Sequence, residues 1–359
     1  MENEIIEKIR NLSPDAFLDY YTEVIDKRLE AYSLRIIAEA SCYHPFISKT
    51  TKRISEFVCR KCKRIASCST LLTYLGYVNQ VDEAILSVCE AIELFRHSIL
   101  IHDDLVDMDN LRRGGKAFHK LFSDEYDTRF GKGTAIFYGN ILYSEAITML
   151  LKSGFDRSHL LKAVELLSTG YREVNESQVL DLFFESQEPT LKEWEAMASK
   201  RAASLFNVNM MMGAILGGVA EKELRLIKDI AKHIGFSFDI QDDIIGTFAS
   251  AEQYGRPPGG DLILGKKALH IVYAYQLIQG TERGELKNLL TQNELSDQQM
   301  ERIKEIVKCC GALEKAKQRS KEHAEIAIEA LDKTTMNDYS KDFFSYLIYF
   351  ISESLDWYR

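Results

Sequence analysis

The sequence FRHSILIHDDLVDMDNLRRGGKAFH, residues Phe95–His119, determines how the rest of the chain is interpreted. It places four carboxylates, those of Asp103, Asp104, Asp107 and Asp109, directly after an apolar run. On a helix, Asp103 and Asp107 are one turn apart and share a face, so their like charges repel and destabilise the helix. A divalent cation would offset that repulsion, and carboxylate oxygens suit hard ions such as Mg²⁺, which often also bind substrate phosphates. The alternative interpretation is a solvated acidic helix end.

A second acidic cluster favours the metal interpretation. Residues 236–247 read FSFDIQDDIIGT, in which Asp242 and Asp243 have apolar neighbours and Asp239 lies one turn before Asp243. Carboxylates in such a setting are rarely directed only at water. Two distant clusters on helical segments can face each other across a bundle core, where helical proteins commonly build metal sites.

Composition limits the function classes. The chain has 359 residues, 46% of them hydrophobic, and a formal net charge of -9 without a long basic tract, which argues against a nucleic-acid partner. The first residues, MENEIIEKIRNLS, lack the apolar region of a signal peptide, and no run of about 18 apolar residues predicts a transmembrane segment. A cytoplasmic protein is therefore expected.

The seven cysteines are expected to be reduced thiols. Cys59 and Cys62 form a C-x-x-C, with Cys68 further along. Zinc would need a fourth ligand, for which His44 is the nearest candidate. Cysteines packed within helices are the favoured interpretation.

Helical periodicity and few breakers predict an all-α chain, organised as a single domain over residues 1–359. Breaks are expected at His44-Pro45, Gly114-Gly115, Gly131–Gly133, Pro189 and Arg256–Gly260. The apolar run Phe343–Ile351 is expected to be a core or dimer-interface helix. The predicted helices span residues 16–40, 51–76, 81–107, 134–153, 158–185, 191–216, 220–247, 266–280, 297–309, 312–332 and 338–356.

Several elements in one order resemble the trans-isoprenyl diphosphate synthases, the polyprenyl or geranylgeranyl diphosphate synthase-like family. IHDDLVDMDNLRRG is similar to the first aspartate-rich motif with its Arg-Arg-Gly, and FDIQDDIIG followed by YGRPPGGDLILGKKALHIVYA is similar to the second motif and its lysine loop. Between them, SQVLD (Ser177–Asp181) and SKRAASLF (Ser199–Phe206) match the family's Gln-x-x-Asp and lysine-threonine elements. The resemblance runs from about Lys52 to about Tyr275. It implies an orthogonal helical bundle of the isoprenoid synthase type with a central cavity, and a homodimer.

The resemblance also implies the chemistry. Mg²⁺, three ions per active site, would assist loss of diphosphate from an allylic diphosphate, and isopentenyl diphosphate would attack the resulting cation. The metal ligands carried over are Asp103, Asp104, Asp107, Asp242 and Asp243. Catalytic roles fall to Asp103, Asp104, Arg201, Asp242 and Lys266. Substrate-binding roles fall to Lys52, Arg53, Arg96, Ser98, Ile99, Arg112, Arg113, Gln178, Asp239 and Lys266, with Asp181 in support.

Several positions depart from the family pattern, among them Arg201, which stands where the family uses a lysine, and Asn140, which stands where it has an aspartate. The family's Gln before the second motif is Asp239, which could be a third carboxylate for the metals or the cap of a local network. Its histidine seven residues before the first aspartate is Arg96, and the last arginine of its Gly-Lys-Arg-x-Arg element is Ser55. The second motif ends in Gly246 instead of Asp, as in some archaeal-looking members, and Ala202 replaces a threonine.

These departures leave three functions open. Because a charge is lost at Ser55 and gained at Arg96, we hypothesise that the two changes compensate at the acceptor diphosphate. The first function is a polyprenyl diphosphate synthase, favoured by Lys52, Arg113 and the Lys266-Lys267 loop. The second is a prenyltransferase or terpene cyclase that uses a different acceptor. The third is a non-catalytic partner subunit, disfavoured because both acidic clusters are retained.

The sequence partly predicts the length of the prenyl product. On a helix, Ile99 and Ser98, four and five residues before Asp103, would line the channel for the prenyl tail, with Phe95 as its floor. A small residue at Ser98 predicts a product of about twenty to twenty-five carbons. His97 and His102 are expected to be structural histidines, and His119 matches a family position near the metal cluster.

Overall fold

The structure, a computed structural model, describes residues 12–254, 258–292 and 294–353, with the backbone alone at residues 203, 251 and 253. It is almost entirely α-helical, so the predicted all-α class is confirmed. A short antiparallel hairpin interrupts the helices, with β1 (Leu111–Arg112) paired to β2 (Gly115–Lys116). Within the described residues, none of the helices is long and apolar enough to cross a membrane.

The chain forms two compact units. The described part of the first comprises residues 12–167, 209–219 and 336–340, and the second is built from residues 168–208, 220–335 and 341–353 without the gaps noted above. The expectation of a single domain over residues 1–359 stays a prediction.

The helices begin and end as follows. The N-terminal ones are α1 (Pro14–Tyr43), α2 (Pro45–Val58), α3 (Ile65–Tyr77), α4 (Glu83–Val106), α5 (Phe118–Ser123), α6 (Thr128–Leu151) and α7 (Arg157–Glu185). They are followed by α8 (Leu191–Ala198), α9 (Ala202–Leu216), α10 (Glu221–Phe248), α11 (Ala251–Tyr254), α12 (Gly260–Ile263) and α13 (Leu269–Leu277). The last are α14 (Gly280–Leu289), α15 (Asp297–Cys309), α16 (Ala312–Asp332) and α17 (Asp338–Glu353).

In the first unit, α4 packs along α6 and carries the first acidic cluster at its C-terminal end. The Asp82 carboxylate caps the N-terminus of α4 by accepting from the backbone N–H of Ile85 at 3.1 Å. Close packing depends on Gly139, because a Cβ there would lie 2.2 Å from Nε2 of His102. That same nitrogen donates to the carbonyl of Ile136 at 3.2 Å, so His102 has the structural role expected of it.

In the second unit, α10 packs against α16 and α13 around an apolar core that includes Trp194 and Phe236. The hydroxyls of Ser237 and Ser320 lie 3.0 Å apart and join α10 to α16. The apolar run 343–351 is core, since five of its large side chains are almost fully buried while Tyr349 is exposed. These five are Phe343, Phe344, Leu347, Ile348 and Ile351.

Several predicted helix boundaries were wrong. The predicted helix 51–76 is two helices, because the segment 59–64 turns the chain around the buried Arg64, whose guanidinium contacts Asp26 and Glu93. Residues 199–201 likewise separate α8 from α9, and α5 and α14 were missed. The predicted break at Gly131 is instead the first turn of α6, where a Cβ would lie 2.4 Å from the carbonyl oxygen of His119. Gly131 therefore allows α6 to pack closely against the backbone of α5. Parts of the predicted break at 256–260 and of the predicted end of the last helix lie outside the described residues.

The C-x-x-C cysteines lie in the loop between α2 and α3, not within a helix as expected. The Sγ of Cys59 lies 3.5 Å from the hydroxyl of Ser33, and burial raises the pKa of both Cys59 and Cys62 above its usual value. All seven cysteines are free thiols. Protonated, separate thiols support a packing role over zinc binding.

Candidate active site

The first acidic cluster is organised by one arginine. Asp103 and Asp104 occupy the last turn of α4, and Asp107 caps it, its backbone N–H donating to the carbonyl of Asp103 at 2.8 Å. Arg112, on β1, donates from Nε to Oδ1 of Asp104 at 2.5 Å. One terminal nitrogen of Arg112 also lies 3.2 Å from Asp103 and 3.5 Å from Asp109. The hairpin therefore returns a cation to the end of the helix that carries the carboxylates.

Asp104 differs from its neighbour in burial. Its side chain is 0% exposed, whereas that of Asp103 is 26% exposed. Burial raises the pKa of Asp104 to about 6, and the guanidinium of Arg112 opposes that rise. The Oδ2 atom of Asp104 is buried without a hydrogen-bond partner. A buried carboxylate oxygen without a donor is costly, and it is available to a cation.

The hairpin turn has an unusual backbone. Arg113 has φ +49° and Gly114 has φ +74°, in the left-handed region that side-chain-bearing residues seldom adopt. Arg113 donates to Nε2 of His97 at 2.8 Å. Arg60 donates to the carbonyls of Arg112 and Lys116, each at 2.9 Å, and so ties both strands of the hairpin to the end of α2.

The residues proposed for the acceptor diphosphate lie in different environments. Lys52 is exposed on α2, while Arg96 is half-buried on α4. Ser55 is buried, and its hydroxyl has no hydrogen-bond partner. Arg53 forms an ion pair with Glu125 and donates to a backbone carbonyl of α5 at 3.1 Å, so its guanidinium is held by protein groups.

The residues expected to line the prenyl channel are packed in the core. Ser98 is 0% exposed and donates to the carbonyl of Phe95 at 2.7 Å, and Ile99 is nearly as buried. The ring of Phe95 lies 6.5 Å from that of Tyr143 on α6. A prenyl tail would reach Ser98 only by displacing packed side chains, and the channel stays a prediction.

The second acidic cluster is also organised by an arginine. Arg201 lies between α8 and α9, and its Nε donates to both carboxylate oxygens of Asp239, at 2.8 and 2.9 Å. Another nitrogen donates to Asp243 at 2.9 Å, and a third lies 3.6 Å from Asp181 on α7. Burial raises the pKa of Asp239 to about 6 and that of Asp243 well above its usual value, although Arg201 opposes both shifts.

A lysine loop borders this cluster. Lys266 lies 3.4 Å from Asp181 and 3.7 Å from Asp261. The loop packs against Gly246, whose carbonyl accepts from the backbone N–H of Gly259 at 2.8 Å, and a Cβ at Gly246 would lie 3.3 Å from the hydroxyl of Tyr254 and 3.4 Å from Oδ2 of Asp261. Gln178, one turn before Asp181 on α7, and Asp242 are half-buried in the same unit.

Sequence and structure suit the binding of magnesium with a phosphate-bearing ligand. Among the described residues, no three His, Cys, Asp or Glu side chains converge closely enough to hold an ion alone. Guanidinium groups lie among the carboxylates of both clusters, and Mg²⁺ commonly needs only one or two carboxylates beside water and substrate phosphates. The second cluster has more negative than positive groups, since its described members are Asp181, Asp239, Asp242, Asp243, Asp261, Arg201 and Lys266. This excess, with the unpartnered oxygen of Asp104, makes both donor sets suitable for divalent cations.

The polyprenyl synthetase family model matches residues 48–309, well over half of the chain. This chain belongs to the polyprenyl synthetase family. A short chain isoprenyl diphosphate synthase from Methanocaldococcus jannaschii is 30% identical over 246 residues, which are 68% of this chain and 72% of that protein. A geranylgeranyl pyrophosphate synthase from Geoglobus acetivorans is 29% identical, and the match covers 80% of this chain and 86% of that protein. A geranylfarnesyl diphosphate synthase from Aeropyrum pernix is 27% identical, and the match covers 81% of this chain and 90% of that protein.

Solved structures show the same fold for this polyprenyl synthetase. The geranylgeranyl pyrophosphate synthase from Corynebacterium glutamicum, complexed with isoprenyl diphosphate and magnesium, superposes with a TM-score of 0.88. It is 21% identical, and the match covers 94% of this chain and 99% of that one. The predicted trans-isoprenyl diphosphate synthase family is thus confirmed, and so is assignment to a family of transferases.

The sequence of this polyprenyl synthetase did not single out two residues of the site, and it assigned a third a structural role. Asp261 lies within the lysine loop, and its position shortly before Gly265-Lys266 was the sequence feature that could have marked it. No sequence pattern pointed to Arg60, because its role depends on carbonyls of a hairpin that the sequence does not predict. His97 was expected to be structural, yet it contacts Arg113, a candidate substrate residue.

Proposed function

We propose that this polyprenyl synthetase condenses an allylic diphosphate with isopentenyl diphosphate, giving a trans-polyprenyl diphosphate of geranylgeranyl to geranylfarnesyl length. The observation that carries the proposal is the presence of two acidic clusters, each built around an arginine, in a chain of this family. The names of the relatives above support the product range.

In the proposed reaction the allylic C–O bond breaks, and diphosphate leaves with the bonding electrons. The double bond of isopentenyl diphosphate forms the new C–C bond, and a proton is lost. Mg²⁺, with three ions expected, would be held by Asp103, Asp104, Asp107, Asp242 and Asp243, and would neutralise charge on the departing diphosphate.

The cationic side chains around the acidic clusters would hold the allylic diphosphate. Arg112, Arg201 and Lys266 already lie among carboxylates, so each can donate to phosphate oxygens while its protein contacts fix its orientation. Gln178 would support this group, and Asp239 would fix the guanidinium of Arg201. Of the two alternatives for Asp239, the contact of both its oxygens with Nε of Arg201 supports the cap of a local network.

Two cations of the first unit support acceptor binding. Lys52 and Arg113 form no ion pair with any carboxylate among the described residues, in contrast to Arg112, which contacts three. An anionic ligand would stabilise the partly buried Arg113, which has no carboxylate within ion-pairing distance, and the exposed Lys52 can extend toward the same ligand. We assign both to the diphosphate of isopentenyl diphosphate, with Arg96 as a further candidate.

The assay uses radiolabelled substrate, with geranyl or farnesyl diphosphate supplied with and without isopentenyl diphosphate. Elongated product is the expected result. Ionisation without elongation would favour a transferase or cyclase with another acceptor, a reading that the changed residues Ser55 and Arg96 keep open. Absence of turnover until a second chain is added would favour a partner subunit.

We also propose that the chain is a homodimer. Three large apolar side chains on adjacent positions and turns of α6 are exposed, and Phe137 is 67% exposed. An exposed apolar helix face commonly marks a protein interface. Light scattering should give twice the chain mass for the wild type and a monomer for F137D, whereas a monomeric wild type would contradict the proposal. The three side chains are Ile136, Phe137 and Ile141.

A further inference from the structure

Arg113 is a partly buried cation that hydrogen-bonds to a neutral ring. Its guanidinium donates to His97, and no carboxylate of the described residues lies within ion-pairing distance. Burial lowers the pKa of Arg113, the nearby cations Arg64 and Arg112 act in the same direction, and the more distant carboxylate of Glu93 opposes the shift. The adjacent Arg112 is instead surrounded by three carboxylates. Arg113 is therefore suited to an anion that binds and leaves.

His97 fixes the direction in which Arg113 is held. His97 is 0% exposed, and its Nδ1 lies 2.6 Å from the carbonyl of Glu93, to which only a protonated nitrogen can donate. The second nitrogen, Nε2, is then the acceptor for Arg113. Burial lowers the pKa of His97 well below its usual value, and the nearby cations Arg113, Arg64 and Arg96 act in the same direction. The ring thus keeps one tautomer and one acceptor.

The backbone around Arg113 is constrained independently. Its left-handed φ of +49° is unfavourable for a residue with a side chain, and such conformations persist where surrounding contacts enforce them. Arg60 supplies these contacts by donating to carbonyls on both strands of the hairpin. Gly115 leaves the space for it, since a Cβ there would lie 2.5 Å from Cζ of Arg60. Backbone and side chain of Arg113 are therefore both set before a ligand arrives.

We propose that His97 is a positioning residue whose Nε2 orients the guanidinium of Arg113 toward the diphosphate of the acceptor substrate. The identity of that substrate rests on the proposed function, while the His97–Arg113 contact does not. His97 itself does not touch the diphosphate. Its effect is to remove the rotational freedom of Arg113 in advance, which lowers the entropic cost of binding an anion.

The test compares H97L, which removes the acceptor, with H97Q, whose amide oxygen can replace Nε2. H97L should raise the KM for isopentenyl diphosphate about tenfold, with little change in the KM for the allylic diphosphate, and H97Q should recover most of the loss. R113Q should show the same defect, and adding H97L to R113Q should add little, because both remove one interaction. A wild-type KM in H97L, equal defects in H97L and H97Q, or additive losses would overturn the proposal.

Two further measurements separate folding and function from positioning. Thermal unfolding of each variant shows whether it folds, and H97M, also without a strong acceptor, replaces H97L if that variant does not. Calorimetry with inorganic pyrophosphate in EDTA does not depend on turnover. If the wild type fails to elongate any allylic substrate, the proposed function fails, but pyrophosphate should still bind more weakly to H97L and R113Q than to H97Q. Equal pyrophosphate affinity in all four proteins would overturn the positioning role.

Discussion

Nε of Arg201 lies 2.8 and 2.9 Å from the two carboxylate oxygens of Asp239, so an arginine between α8 and α9 is held against a buried aspartate of α10. By the family resemblance, these positions commonly carry lysine and glutamine. A charge pair has thus replaced a charged and a neutral residue, and the Nε–H of the guanidinium is shared between both carboxylate oxygens of Asp239 while its terminal nitrogens face Asp243 and Asp181. The two changes are matched to each other.

The first prediction concerns this pair. D239Q should leave Arg201 with one fewer carboxylate and lower the free energy of unfolding by about 1–2 kcal/mol, because a buried charge-assisted hydrogen bond is lost while the contacts of Arg201 with Asp243 and Asp181 remain. Combining it with R201K should recover part of the stability and activity, which thermal unfolding and kcat/KM will measure. D229N, an exposed site on the same helix, is the control. A double variant no better than D239Q would contradict the matching.

The second prediction concerns magnesium and the first cluster. D103N and D107N should lower kcat/KM about a hundredfold and raise the Mg²⁺ concentration for half-maximal rate, because each removes a candidate ligand charge. Titration of activity against Mg²⁺ measures this, and EDTA should abolish activity. D109N is the matched control, since Asp109 also contacts Arg112 but is not assigned to the metal. An unchanged Mg²⁺ requirement in D103N and D107N would remove the first cluster from the metal site.

The third prediction is a pH dependence of stability. Nδ1 of His233 and Nδ1 of His323 lie 2.8 Å apart between α10 and α16, and burial lowers the pKa of both, that of His323 to about 3. Below about pH 6.5 the unfolded chain therefore binds protons that the folded protein does not, so stability falls as the pH falls.

For His323 alone, this loss should be about 2 kcal/mol between about pH 7.5 and about pH 5, and it should continue toward the folded pKa. Chemical unfolding across this range measures it, and H323Q should show a shallower dependence because it cannot titrate. Equal slopes for the wild type and H323Q would mean that His323 is protonated alike in both states.

The fourth prediction concerns product length. S98F places a bulky ring at a fully buried position on α4 and should shorten the product, which chromatography of the prenyl chains will show. Overpacking should cost about 1–3 kcal/mol, so the variant should be assayed well below its unfolding temperature. S98A, which adds no volume, should give the wild-type product. If S98F gives wild-type chain lengths, the tail does not pass Ser98.

The sequence predicted what depends on local pattern. Helical periodicity located α4, α10 and most other long helices, and adjacent aspartates with apolar neighbours marked both acidic clusters. It could not predict what depends on long-range contact. Arg60 joins the hairpin across more than fifty residues, and the role of Gly131 as a packing residue requires its neighbour on α5. Glycine is a break signal only where no other backbone approaches closely.

The central claim is that this chain ionises an allylic diphosphate and joins it to isopentenyl diphosphate. The most direct measurement is the product formed from radiolabelled isopentenyl diphosphate and farnesyl diphosphate, with Mg²⁺ and with EDTA. The account predicts that the reaction with Mg²⁺ gives a labelled prenyl diphosphate longer than farnesyl diphosphate and that the reaction with EDTA does not. Loss of diphosphate from farnesyl diphosphate without incorporation of label would contradict it.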